Sequence, residues 1–222
     1  MKKIMFNDRF GLTADTLEGR KTVTRRIVNI KDCSESHKHY NGADWKDEPM
    51  QLIINKDKDG SGCYCYLCGN GVSPKNKYCG IPLPYQIGEV AAVAQRYKYI
   101  VDTLKEPCLT DAKCWMPNSA GWNNKMLVKA EFMPHQIEML DVRVERLQDI
   151  TDEDCIKEGI SSYDTSGKNY IETVYGVDMI NKFIELGKTP REAFASLIDK
   201  ISGKGTWERN PYVFRYEFKL LK

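Results

Sequence analysis

The chain has 222 residues, 41% of them hydrophobic, which is enough to bury a core and excludes wholesale disorder. Its 33 basic and 31 acidic residues leave a formal net charge of +2, which excludes a histone-like polycation and confines any nucleic-acid footprint to a local basic patch. No apolar run approaches a secretory signal or a membrane span, so a cytoplasmic, membrane-free protein is expected, its eight cysteines read first as thiols or metal ligands.

Lys3-Ile4-Met5-Phe6 starts a short strand. Asp8 is a candidate N-cap for a helix carrying Leu12, Ala14 and Leu17, which Gly19 ends in the left-handed conformation. A basic turn from Gly19 to Arg26 then runs into Ile27-Val28. From Lys31 to Cys79 the sequence is rich in Ser, Asn, Gly, Asp and Lys, with Met50 to Ile54 as a lone strand. After Ile81 to Tyr85, a turn at Gly88 feeds a buried strand, and residues 103–125 are again irregular. Met126 to Phe132 is a predicted strand, and Glu138 to Arg146 alternates as a half-exposed one.

Thr151-Asp152-Glu153-Asp154 opens a short helix, with a capping threonine and acids where the helix dipole favours them, and Gly159 closes it. A second helix is predicted over Val177 to Leu186. A third opens at Thr189-Pro190-Arg191-Glu192, with cap and first-turn proline, and stops near Gly203. Tyr212 to Leu220 closes the chain as a strand with period-two alternation. No internal repeat is visible, and this mixture of elements predicts an α+β fold and not a doubly wound sheet.

The basic turn holds Arg20, Lys21, Arg25 and Arg26, with no acid between Glu18 and Asp32. Cations after a helix C-terminus complement its dipole and are commonly solvated, which is one reading of the cluster. The interleaved Thr22 and Thr24 offer another, because their hydroxyls can bond a phosphate or a base edge. Lys21 and Thr24 are three residues apart and can converge in a turn. A lysine beside a threonine hydroxyl can serve as base to its nucleophile if burial lowers the lysine pKa. Val23 is the expected anchor of the turn to the core, and Arg25 and Arg26 are candidate phosphate contacts.

A strand, a helix and then Gly19-x-Lys21-x-x-Thr24-x-Arg26 resembles the opening motif of the ASCH family, relatives of the PUA RNA-binding domains. Gly88-Glu89-Val90 resembles that family's Gly-Asp-hydrophobic turn into a barrel strand. Ile150-Thr151-Asp152-Glu153-Asp154-Cys155-Ile156-Lys157-Glu158-Gly159 resembles its acid-capped helix ending in a glutamate, and Pro211 to Phe218 its terminal strand. The matching stretches cover roughly residues 3–30, 81–100, 126–160 and 190–222 of one domain. Residues 1–222 then form a single domain with insertions at about 31–80, 101–125 and 161–189.

The resemblance implies a small β-barrel flanked by helices, with a cleft bordered by the Gly-x-Lys turn, binding RNA or a modified nucleotide or nucleoside. Arg20, Thr22, Arg25, Arg26 and Trp207 would then contact the nucleotide. A bacterial branch of the family hydrolyses N4-acetylcytidine using a Lys, a Thr three residues later and a Glu on the acid-capped helix, and the matching positions here are Lys21, Thr24 and Glu158. This chain departs from the larger members at Val93-Ala94-Gln95, where they carry Val-Arg-Glu, and it is about twice as long as the compact amidohydrolases.

Cys63-x-Cys65-x2-Cys68 and Cys79 supply four soft ligands for a structural zinc, although a zinc ribbon would show two Cys-x2-Cys pairs where this chain has one. No other cofactor is required. Cys33, Cys108, Cys114 and Cys155 read as ordinary thiols, and His37 and His39 as loop residues. Tyr64, Tyr66, Tyr78, Trp115 and Trp122 can pin insertions or stack bases, whereas Trp207 precedes the last strand, where the family cleft closes. Three functions stay open: an RNA- or nucleotide-binding module, an amidohydrolase of an acylated base, and an interaction protein docking through the Cys-rich insertion.

Overall fold

In the computed structural model, residues 1–28, 51–56, 62–67, 81–104, 108–164, 173–179 and 182–221 are described. The strands are β1 (Lys2–Ile4), β2 (Val23–Ile27), β3 (Gln51–Lys56), β4 (Gly62–Leu67), β5 (Ile81–Pro82), β6 (Val90–Val93), β7 (Gln136–Arg146), β8 (Ser161–Asp164), β9 (Thr173–Met179), β10 (Lys182–Gly187) and β11 (Tyr212–Leu221). The helices are α1 (Leu12–Leu17), α2 (Tyr97–Ile100), α3 (Cys108–Trp115), α4 (Asp152–Lys157), α5 (Pro190–Ser202) and α6 (Thr206–Arg209). The fold is α+β.

The described strands of the main sheet form an open, mixed array in the order β1-β6-β7-β11-β2. Only the β1–β6 pair in that array is parallel. Two further three-stranded sheets, β10-β9-β8 and β3-β4-β5, have their own hydrogen-bonded ladders. No described helix is long and apolar enough to cross a membrane.

Local signals in the chain place the helix ends. Gly19 adopts φ 77° after α1, a conformation that costs glycine little and a β-carbon much. Thr151 Oγ1 accepts from the Asp154 amide at 3.2 Å, and Gly159 (φ 101°) follows α4. Thr189 Oγ1 accepts from the Glu192 amide at 3.1 Å, with Pro190 at the first helical position of α5. Asp8 does not cap α1: the Asn7 side chain accepts from the Arg9 amide and caps a 3-10 turn over Asp8–Phe10, and Gly11 (φ 71°) stands at the N-cap of α1.

Three expectations of secondary structure are corrected. The helix predicted over Val177 to Leu186 is instead a hairpin, with Lys182 opposite Met179 and Ile184 opposite Val177. Pairing wins there because Val177 is fully buried and the hairpin packs beneath α5; a β-carbon on Gly187 would stand 2.7 Å from the Ala193 nitrogen. The strand predicted over Met126 to Phe132 is two 3-10 turns, Lys125–Leu127 and Ala130–Phe132. Asn124 caps the first through the Met126 amide, and the Lys129 amide donates to the Tyr97 hydroxyl at 2.8 Å, so these amides do not serve a ladder.

The third correction concerns β11, which does not alternate: Val213, Phe214, Arg215 and Tyr216 are all buried. It lies between β7 and β2 and is covered on both faces. Phe214, Tyr216 and Phe218 join the main core, where Phe218 meets Phe6 at 5.6 Å and Tyr216 meets Tyr85 edge-on at 5.7 Å. Arg215 faces α4. A second apolar cluster gathers Tyr97, Ile100, Val101, Ala112, Met116, Val128 and Met133 around α2 and α3, so part of residues 101–125 carries its own core.

Candidate functional site: a buried Lys–Glu pair in an apolar-walled cleft

The turn after α1 is stitched down on three sides. The Asp15 carbonyl accepts from the amides of Arg20 (2.8 Å) and Lys21 (3.0 Å). The Thr22 amide donates to the Lys157 carbonyl at the end of α4, and the Thr22 carbonyl accepts from the Phe218 amide of β11, each at 2.9 Å. These bonds fix the Lys21 backbone beside the C-terminus of α4 and send its side chain inward.

Lys21 is buried, and its Nζ donates to the Val23 carbonyl (2.8 Å), the Glu158 carbonyl (2.7 Å) and Glu158 Oε2 (2.5 Å). All three ammonium hydrogens therefore have acceptors, one of them at a helix C-terminus where the dipole favours a cation. Burial lowers the Lys21 pKa, and Glu158 works against that shift.

Behind this pair lies a wider ionic network. Arg25 donates to Glu145 Oε1 (2.8 Å), Asp154 Oδ2 (2.5 Å) and Glu158 Oε1 (3.3 Å). Arg215 donates to both Asp154 oxygens, at 2.7 and 2.9 Å, and to Glu217 at 3.2 Å. Hydrogen bonds from Arg215 and then from Arg25, against an opposing effect of burial, hold the Asp154 carboxyl well below the usual carboxylate range. Burying such charges is tolerable only because each is matched and hydrogen-bonded.

In front of the pair opens a cleft of about 270 Å³, near the lower end of the ~300–1,000 Å³ usual for small-ligand sites. Lys21, Thr24, Arg25, Arg26 and Glu158 form its polar side. Leu12 and Phe6, with Phe194, Leu197, Ile198 and Ile201 of α5, form an apolar wall. Thr24 is buried, and its hydroxyl makes no hydrogen bond among the described residues.

The structure thus brings Lys21, Thr24 and Glu158 to one cleft, together with Arg25 and Arg26. Other sequence candidates lie elsewhere. Arg20 is outside the lining, with its Nε 3.0 Å from Asp15 and a further pairing to Glu18. Thr22 acts through its backbone. Trp207 does not line the cleft; it packs edge-on against the lining residue Phe194 at 6.3 Å, under the Arg191 guanidinium. Cys68, Cys79, His37, His39 and Cys33 lie outside the described residues, as do the side chains of Cys63 and Cys65 on β4. Among the described residues no cluster of three or more His, Cys, Asp or Glu side chains could hold a metal.

Sequence reasoning missed Asp154, Glu145 and Arg215 as members of the site. Asp154 and Glu158 are four apart on α4 and its cap, a spacing that puts both carboxylates on one face and was available as a signal. Arg215 had none, because its meeting with Arg25 depends on the β2–β11 register. Comparison of the chain with protein-family models, curated proteins and solved structures found no match.

Proposed function

We propose that this chain is an ASCH-type, PUA-like domain, its open sheet corresponding to the family's small barrel, whose cleft binds a modified nucleoside and hydrolyses an acyl amide on the base. N4-acetylcytidine is the substrate that the resemblance implies. The observation that carries this reading is the 2.5 Å contact between Lys21 Nζ and Glu158 Oε2 inside a cleft that Thr24 also lines.

Amide hydrolysis needs a nucleophile, a base and an acid for the leaving nitrogen. Transfer of one proton from Lys21 to Glu158 creates base and acid together. The neutral amine then takes the Thr24 proton as Oγ1 attacks the acyl carbon, and the Glu158 carboxylic acid protonates the departing exocyclic nitrogen. This leaves an acyl-threonine, an ammonium and a carboxylate. Water attacks the ester while Glu158 takes its proton and Lys21 returns one to Thr24, which releases the acid, frees the threonine hydroxyl and regenerates the neutral amine and carboxylic acid that entered the first attack. Burial favours the neutral amine that the scheme requires.

Recognition of a long RNA backbone draws less support, since Arg20 and Arg25 already have carboxylate partners. The test is turnover of a panel of acylated nucleosides, N4-acetylcytidine first, followed as acetate release. Thr24→Val, which keeps the shape and removes the hydroxyl, should lower kcat by about 100-fold or more, and Lys21→Ala likewise. No turnover of any panel member by the wild-type protein overturns the hydrolytic reading. Unlabelled RNA binding without turnover would favour a binding module instead.

A further inference from the structure

Two of the three cations lining the cleft are matched, Lys21 by Glu158 and Arg25 by Glu145, Asp154 and Glu158. Arg26 differs: among the described residues no carboxylate pairs with it. It lies on β2 two residues beyond Thr24, on the same face of the strand and about 7 Å further along. One arm of its guanidinium, Nη2, donates to the Met5 carbonyl at 2.7 Å. The head stands 5.8 Å from the centroid of Phe6, the ring that Lys21 Nζ also approaches at 5.8 Å. Its buried Nε has no hydrogen-bond partner among the described residues, although Arg26 as a whole is only partly buried.

The cleft therefore presents one guanidinium with no direct carboxylate partner among the described residues, beside apolar walls. The head is also held in orientation, by a carbonyl on one arm and an aromatic ring beside it. A planar fork fixed in that way suits bidentate contact with a phosphate.

We infer that Arg26 anchors a phosphate of the ligand, so that the cleft takes a nucleoside monophosphate in preference to the neutral nucleoside; this rests on the nucleoside reading proposed above. A single unmatched cation fits a single phosphate. A polynucleotide would call for several such cations.

Calorimetric titration of cytidine and cytidine 5′-monophosphate into the wild-type protein and R26Q tests this, with circular dichroism confirming that the variant folds. The wild type should bind the monophosphate about tenfold tighter or more, and in R26Q the ratio of the two affinities should fall toward one. Equal affinities in the wild type, or an unchanged ratio in R26Q, overturn the inference. If neither cytidine compound binds the wild type, the nucleoside reading fails and inorganic phosphate decides the anion site alone. A rise in Tm with phosphate that R26Q lacks then supports the anchor, and no rise overturns it.

Discussion

Arg25 and Arg215 stand directly opposite each other across β2 and β11, and both donate to the one carboxylate of Asp154. Two guanidiniums in register on neighbouring strands repel, and like charges so placed destabilise a sheet. Asp154, reaching in from the first turn of α4, turns that repulsion into a clamp between helix and sheet. The same helix ends in Glu158, so whatever fixes α4 on the sheet also fixes the carboxylate that meets Lys21.

Asp154→Asn should therefore destabilise the protein by about 3 kcal/mol, since it strips charge from a shared partner and leaves two buried cations short. Asp152→Asn, an exposed change in the same helical turn, should stay within about 0.5 kcal/mol. Chemical denaturation of both variants checks this, and equal losses would show that the clamp contributes nothing specific.

The same carboxyl gives a signed pH dependence. Its folded pKa is depressed, so its contribution is fully present above the unfolded value of about 3.9 and is lost as pH falls from there toward the folded value. Unfolding free energy measured from pH 6 down to pH 2.5 should drop more steeply for wild type than for Asp154→Asn. Parallel profiles would contradict the assignment.

The Lys21–Glu158 pair should be strongly coupled. Lys21→Met leaves Glu158 buried with only Arg25 at 3.3 Å, and Glu158→Gln leaves the Lys21 ammonium without its carboxylate. Each single change should cost about 3 kcal/mol, and the double variant less than the sum, with a coupling above about 1 kcal/mol. A double-mutant cycle on unfolding free energies reads this directly, and additive costs would mean that the pair is not a unit.

Gly159, next to Glu158, adopts φ 101°, and a β-carbon there would lie 3.0 Å from Leu12 Cδ2 and Asp15 Oδ2. Gly203 has nearly the same φ, 102°, with nothing within 4 Å. Gly203→Ala should cost about 1 kcal/mol, from backbone strain alone, and Gly159→Ala about 2 kcal/mol or more because strain and crowding add. Gly159→Ala should also slow any turnover at the cleft by displacing Glu158. Thermal melts and the acylated-nucleoside assay, run on both variants, check the pair of expectations.

The chain by itself determined what is settled within a few residues. The Gly19 stop, the Thr151 and Thr189 caps and the Pro190 first turn follow from capping chemistry that spans no more than four positions. The Lys21–Thr24 spacing and the acids of α4 were likewise legible. Only the tertiary structure decided which charges are spent and which are left. Arg25 looked like a phosphate contact in the basic turn, yet its carboxylates lie 120, 129 and 133 positions further along the chain. Burial on both faces of β11, the hairpin in place of a helix at Val177 to Leu186, and the lack of a carboxylate partner for Arg26 among the described residues have the same origin. Register and packing between distant segments set them, because pairing and desolvation outweigh local propensity once strands and helices meet.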